Sequence, residues 1–73
     1  MIEVFKTNVK DKALANTVVN SIHSSFENYS ANFDLHDCDN ILRVKSSSGY
    51  VQVASLVTFL NTLGCIAEVL SDD

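Results

Sequence analysis

Two stretches of the chain repeat their apolar residues at the spacing of a helix. In the first stretch these residues are Leu14, Ala15, Val18, Val19, Ile22 and Phe26. In the second they are Val53, Val57, Leu60 and Leu63, followed by Gly64, which is placed to end a helix in a left-handed conformation. Because steps of three and four put side chains on one face, the pattern predicts two amphipathic helices, the first from about residue 11 to about residue 28.

Four shorter segments alternate apolar and polar residues as strands do, at positions 2–5, 32–36, 41–45 and 65–70. The two middle segments flank Asp37-Cys38-Asp39-Asn40, whose residue types favour a turn, so they predict a β-hairpin. The resulting order is βαββαβ. It predicts one α+β, ferredoxin-like domain over residues 1–73, with a four-stranded antiparallel sheet in the order 4-1-3-2 and both helices on one face.

Composition narrows the classes of function. The chain has 73 residues, 47% of them hydrophobic, which is enough for one small core. Its formal net charge is −4, the wrong sign for a protein that neutralises nucleic-acid phosphates or binds an anionic membrane surface. The first residues do not read as a secretory signal, and no apolar run approaches the ~18–20 residues of a membrane span. We therefore expect a cytoplasmic protein that binds neither nucleic acid nor membrane.

The two cysteines, Cys38 and Cys65, lie far apart in the chain. They form neither a disulfide framework nor a Cys-x-x-Cys metal or redox pair. We expect two free thiols.

The predicted topology brings three connections together at one end of the domain, which we call the loop pole. They are the loop between strand one and helix one, the hairpin turn, and the junction between helix two and strand four. Candidate ligands for a noncanonical copper or zinc site there are Asp11, His36, Asp37, Cys38 and Asp39. The alternative is an ordinary polar hairpin, with turn hydrogen bonds from its acidic residues and Asp11 acting as a helix N-terminal acid. We predict the ordinary hairpin, and therefore no cofactor.

The sheet has one face that no helix covers. Alternation predicts that the residues facing the helices are Ile2, Val4, Phe33, Leu35, Leu42, Val44, Ala67 and Val69. It predicts on the uncovered face four apolar residues, Phe5, Ile41, Ile66 and Leu70, among the charged residues Glu3, Asp34, Arg43, Lys45 and Glu68. Four clustered apolar side chains would form a patch for a protein partner or for self-association. The alternative is scattered apolar exposure, which is ordinary on protein surfaces.

The sequence shows no catalytic motif. Neither His23 nor His36 stands beside a serine or cysteine in a recognisable nucleophile arrangement, and His23 is expected to be a solvated residue of helix one. We predict a protein that is not an enzyme and has no catalytic residues.

Two segments resemble a known family, namely Asn8-Val9-Lys10-Asp11-Lys12-Ala13-Leu14 with the later Val18, and Leu63-Gly64-Cys65-Ile66-Ala67-Glu68-Val69. Over nearly its whole length the chain is similar to the heavy-metal-associated domain of copper chaperones and metal-transporting ATPases. That family has Gly-Met-Thr-Cys-x-x-Cys-x-x-x-Val before and within helix one, and a Leu-Gly-Tyr-x-Ala-Glu ending. Its two thiolates hold a soft metal ion.

The resemblance implies the ferredoxin-like fold but not the metal chemistry. Asp11 stands where the family has its first cysteine and Leu14 where it has the second, and neither supplies the sulfur that Cu(I) prefers. We therefore predict a degenerate member of the family, a small binding module that acts through protein contacts. The alternative function is metal binding or metal transport through the noncanonical site at the loop pole.

Overall fold

The computed structural model describes residues 1–36 and 38–70, and its elements follow the predicted order. The strands are β1 (Ile2–Thr7), β2 (Tyr29–Asp34), β3 (Ile41–Ser46) and β4 (Ala67–Val69), and the helices are α1 (Lys12–Ser25) and α2 (Val53–Thr62). The strands form one antiparallel sheet in the order β2-β3-β1-β4, which is the predicted order read from the other edge. The α+β, ferredoxin-like fold is confirmed.

Both helices begin and end for local reasons. Asp11 is the N-cap of α1, and its carboxylate accepts a hydrogen bond of 2.9 Å from the Ala13 N–H. Helix α1 ends at Ser25, earlier than predicted, in the turn that leads to β2. Gln52 precedes α2 without a side-chain cap, and the Tyr29 hydroxyl accepts its N–H at 2.6 Å instead. The left-handed conformation predicted at Gly64 is confirmed, with φ at 81°.

The predicted facing of β1 is wrong. Phe5 pairs with Leu42 and Val69 and is fully buried, whereas Ile2 is 57% exposed on the opposite face. A slip of one residue exchanges the faces of a whole strand. The predicted facing would have put Lys6 in line with Ile2 and Val4 against the helices, and burying an unpaired ammonium group is costly. The observed facing instead buries Phe5 and leaves Lys6 exposed.

The core lies between the sheet and the helices. The side chains with less than 2% exposure are Phe5, Val9, Val18, Ile22, Leu42, Val44, Leu56, Leu60 and Cys65. Burying residues of this size stabilises a fold by about 1.5–3 kcal/mol each. Among the residues described, neither helix is long and apolar enough to cross a bilayer.

Candidate functional site

The loop pole forms as predicted, because hydrogen bonds join its three connections. Thr7 donates from its backbone N–H to the Asp39 oxygen at 3.2 Å and from its hydroxyl to the Asn40 oxygen at 2.7 Å. Asn8 and Ile66 exchange two bonds: the Asn8 N–H donates to the Ile66 oxygen at 3.3 Å, and the Ile66 N–H donates to the Asn8 side-chain oxygen at 2.9 Å. The end of β1 is thereby fixed to the hairpin on one side and to the start of β4 on the other.

Two of the candidate metal ligands, Asp11 and Asp39, use their carboxylates in a helix cap and an ion pair. Asp11 caps α1 as described, His36 is exposed, and its N–H donates to the Asp34 carboxylate at 3.1 Å. Asp39 lies 3.9 Å from the Lys6 ammonium group. Within residues 1–36 and 38–70, no group of three histidine, cysteine, aspartate or glutamate side chains is placed to hold a metal ion. Asp37 lies outside the described residues, so a metal site that includes it stays a prediction.

The two cysteines are free and have opposite environments. Cys38 is exposed in the hairpin turn, and Cys65 is buried just before β4. Burial raises the pKa of the Cys65 thiol, because the thiolate would lose its hydration. Cys65 is therefore a packing residue and a poor nucleophile.

The face of the sheet away from the helices, which we call the open face, differs from the predicted patch. By register and alternation it carries Ile2, Val4, Lys6, Ser30, Asn32, Asp34, Ile41, Arg43, Lys45, Ile66, Glu68 and Leu70. Phe5, predicted on this face, lies on the helix side of the sheet instead, because β1 turns its other face toward the helices.

Of the other predicted patch residues, Ile66 is 65% exposed and Leu70 is partly exposed. Ile41 lies on the open face but is only 5% exposed, flanked in register by Lys6 and Asp34. Two residues assigned to the core by the sequence pattern, Ile2 and Val4, join the face instead.

The apolar part of the open face therefore centres on β1 and β4. Val4 lies beside Leu70, whose N–H donates to the Val4 oxygen at 2.9 Å, and Ile2 follows on the same strand. Ile66 lies nearer the loop pole, beyond the neighbouring Lys6 and Glu68. Apolar side chains and charges of both signs are mixed on this face.

A second surface is a groove at the free edge of β2, which we call the edge groove. Its volume is about 760 Å³. It is lined on the helix side by Ala15, Asn16 and Val19 of α1, and on the sheet side by residues from Ala31 to His36. Lys10 and Lys12 lie at its rim.

The hydrophobic pattern of the sequence does not predict this groove. The predicted strand order makes β2 an edge strand, which is the one signal that the sequence contains. The width of the space between a helix and a strand edge depends on how the helix packs, and periodicity carries no information about that distance.

His23 is also placed differently from its prediction. Its ring is exposed, but its Nε2 accepts a hydrogen bond of 3.0 Å from the Ala31 N–H in β2. It is thus a neighbour of the strand edge and not simply a solvated helix residue.

No family model, no curated protein and no solved structure matches this chain.

Proposed function

We propose that the protein is a small non-catalytic binding module, similar to heavy-metal-associated domains but without their thiolate site, and that it contacts proteins through the open face. The observation that carries the proposal is the exposed apolar group on that face. Ile2 is 57% exposed, with Val4 and Leu70 nearby on the same face, and Ile66, nearer the loop pole, is 65% exposed. Apolar surface of this kind on a small domain is typical of a contact site.

The partner that best fits the open face is a second copy of the chain. The face carries three basic residues, Lys6, Arg43 and Lys45, and two acidic ones, Asp34 and Glu68. The excess of negative charge in the chain as a whole, −4, therefore lies elsewhere. A two-fold axis places the same surface on both sides of an interface, so a face with both signs of charge can pair with itself.

Sedimentation equilibrium tests this contact. We expect the weight-average mass to rise toward that of a dimer with increasing protein concentration. Ile66→Asp should hold the chain in the monomeric form, because the contact would then bury an unpaired carboxylate. Tyr50→Asp is the matched control: Tyr50 is 76% exposed in the loop after β3, and its substitution should leave association unchanged. A wild-type chain that stays monomeric at all concentrations contradicts the proposal.

Loss of the thiolate site is tested separately. We expect no saturable change in amide NMR shifts on titration with Cu(I) or Zn²⁺, since Asp11 caps a helix and Leu14 has no donor atom. Saturable shifts confined to residues 8–14 and 36–40 at micromolar metal would support the alternative function, a noncanonical metal site at the loop pole.

The support for a non-catalytic role comes from the polar side chains that enzymes most often use. The Nε2 atom of His23 is occupied by the Ala31 N–H. Arg43 lies 3.8 Å from Asp34 in an exposed ion pair. These contacts hold the groups in structural roles, and neither forms the oriented nucleophile and base of a catalytic site.

A further inference from the structure

We propose that the edge groove binds an extended, acidic segment of another protein, which adds to the free edge of β2 as a fifth strand. This contact uses a different surface from the open face and does not depend on self-association.

The first argument is the state of the β2 edge. An edge strand presents backbone groups that pair readily with another chain unless something covers them. At the beginning of β2 they are covered: the Tyr29 N–H donates to the Phe26 oxygen at 3.1 Å, and the Ala31 N–H donates to His23 at 3.0 Å. Among the described residues, Ala31 is the last residue of β2 whose outward backbone N–H is covered in this way.

Phe33 is the next residue whose backbone points outward. Successive residues of a strand in an antiparallel pair direct their backbone groups to opposite sides, so the N–H of Phe33 faces away from β3 as that of Ala31 does. Within residues 1–36 and 38–70, the Phe33 N–H has no hydrogen-bond partner. It is a donor available to an incoming strand.

The second argument is the position of the groove. Its lining includes Ala31 and Phe33 from one face of β2, and Asn32 and Asp34 from the other. A cavity lined from both faces of a strand runs along the edge of that strand. Its volume of about 760 Å³ falls within the range of ~300–1,000 Å³ typical of ligand sites.

The third argument is charge. Lys10 and Lys12 are exposed at the rim and make no salt bridge with the described residues. The nearby charges of Arg43 and Asp34 compensate each other at 3.8 Å. Within residues 1–36 and 38–70, the rim therefore carries two lysine side chains without an ion pair, in a chain whose net charge is −4. An acidic partner is attracted to this rim, and a basic one is repelled by it.

These features define the chemistry of the partner. Main-chain hydrogen bonds to the Phe33 edge would supply affinity, and alternate side chains would supply specificity. Side chains that point toward α1 meet Ala15 and Val19, so small apolar residues fit there. Acidic residues fit near Lys10 and Lys12. The expected segment alternates apolar and acidic residues.

The test uses the whole chain and synthetic peptides of about six residues, the length of an ordinary strand. One peptide alternates valine and glutamate, and a second replaces each glutamate with lysine. A third is the glutamate peptide with alternate backbone nitrogens methylated, in both possible registers. We expect saturable amide NMR shifts at residues 31–36 and 12–19 with the first peptide, and slowed exchange of the Phe33 amide proton. The lysine peptide should not bind. Of the two methylated peptides, only the one whose methyl groups face β2 should lose binding.

Protein variants separate the charge from the strand edge. The double variant Lys10→Glu/Lys12→Glu should weaken binding of the glutamate peptide about tenfold, from the loss of two rim attractions. Lys45→Glu, which changes a lysine of the open face, is the matched control and should have little effect. Ile66→Asp should bind the peptide as the wild type does, so that failure of self-association and failure of peptide binding are separate results.

Three outcomes would overturn the proposal. The first is the absence of saturable shifts at millimolar glutamate peptide. The second is equal binding of the methylated peptides, which would exclude strand addition. The third is a set of shifts confined to the open face, which would place the peptide elsewhere.

Discussion

The two edge strands of the sheet, β2 and β4, limit the exposure of their unpaired backbone groups in different ways. β4 is short, Ala67–Val69, and offers little backbone to another chain. β2 is twice as long, Tyr29–Asp34, and is covered at its beginning by Phe26 and His23. The cover of β2 reaches Ala31, which also lines the edge groove, and it does not extend to Phe33 among the described residues. The β4 edge exposes few backbone groups because the strand is short. The β2 edge is covered only at its beginning, so a partner strand would bind at its uncovered part.

The largest expected effect comes from the residue that joins the β4 edge to the rest of the sheet. Phe5 is fully buried between Leu42 of β3 and Val69 of β4. Phe5→Ala should reduce the free energy of unfolding by about 3–5 kcal/mol, because it removes an aromatic ring from the core and leaves a cavity. Urea denaturation followed by circular dichroism measures the change.

Ile66→Ala provides the comparison, since this residue is 65% exposed. It should change the free energy of unfolding by no more than about 0.5 kcal/mol. If the two variants lost similar stability, the observed facing of β1 would be refuted.

The next effect concerns the cover of the β2 edge. His23→Ala removes the acceptor of the Ala31 N–H and should cost about 1 kcal/mol of unfolding free energy. Native-state hydrogen exchange should show faster exchange at Ala31, and the uncovered edge of β2 should become longer.

Ser24→Ala is its control, because Ser24 is the exposed next residue of α1. Its substitution should leave exchange at Ala31 unchanged. Equal protection of Ala31 in His23→Ala and the wild type would show that the ring does not cover the edge.

A smaller effect is expected where β4 begins. Asn8→Ala removes the side-chain acceptor of the Ile66 N–H, an exposed hydrogen bond of 2.9 Å, and should cost about 0.5 kcal/mol. Exchange should speed up in β4 and not in β2. Asn20→Ala, on the exposed side of α1, is the control. Faster exchange at both edges would mean that the edges do not open separately.

The smallest effect is a dependence of stability on alkaline pH, arising from Cys65 just before β4. Burial raises the pKa of this thiol above its value in the unfolded chain. The contribution of this thiol to the free energy of unfolding is therefore complete below the unfolded pKa of about 8.5. It is lost as the pH rises toward the folded pKa, because only the unfolded chain releases the proton in that interval.

Urea midpoints measured from pH 7 to about pH 10 should thus fall more steeply for the wild type than for Cys65→Ala. Cys38→Ala, which removes the exposed thiol, should follow the wild type. Parallel curves for all three chains would contradict a role for Cys65.

The order of elements and strands could be predicted from the sequence because it depends on local patterns. The stripe from Ala15 to Ile22, the cap at Asp11 and the left-handed Gly64 are all local signals, and each is present in the structure. The facing of β1 could not be predicted from alternation alone, since both of its faces carry apolar residues. The size of Phe5 and the charge of Lys6 decide it.

The candidate site was less predictable for a related reason. The meeting of the loops at the loop pole follows from topology, and the structure places Asn8, Asp39 and Ile66 there together. The edge groove depends on the distance between α1 and β2, and the cover of the β2 edge at Ala31 depends on the orientation of the His23 ring. Both are consequences of packing and leave no periodic signal in the sequence.

Tyr29 makes the start of β2 part of a larger cooperative unit. The Tyr29 ring stacks on Phe26 with centroids 5.0 Å apart, and Phe26 packs edge-on against Phe59 of α2 at 5.3 Å. The Tyr29 hydroxyl accepts the Gln52 N–H at the start of α2. Detaching this end of β2 would therefore also uncap α2, so the two should unfold as one foldon. Phe33, at the other end of β2, takes no part in these Tyr29 contacts. A partner strand could therefore bind there without unfolding α2.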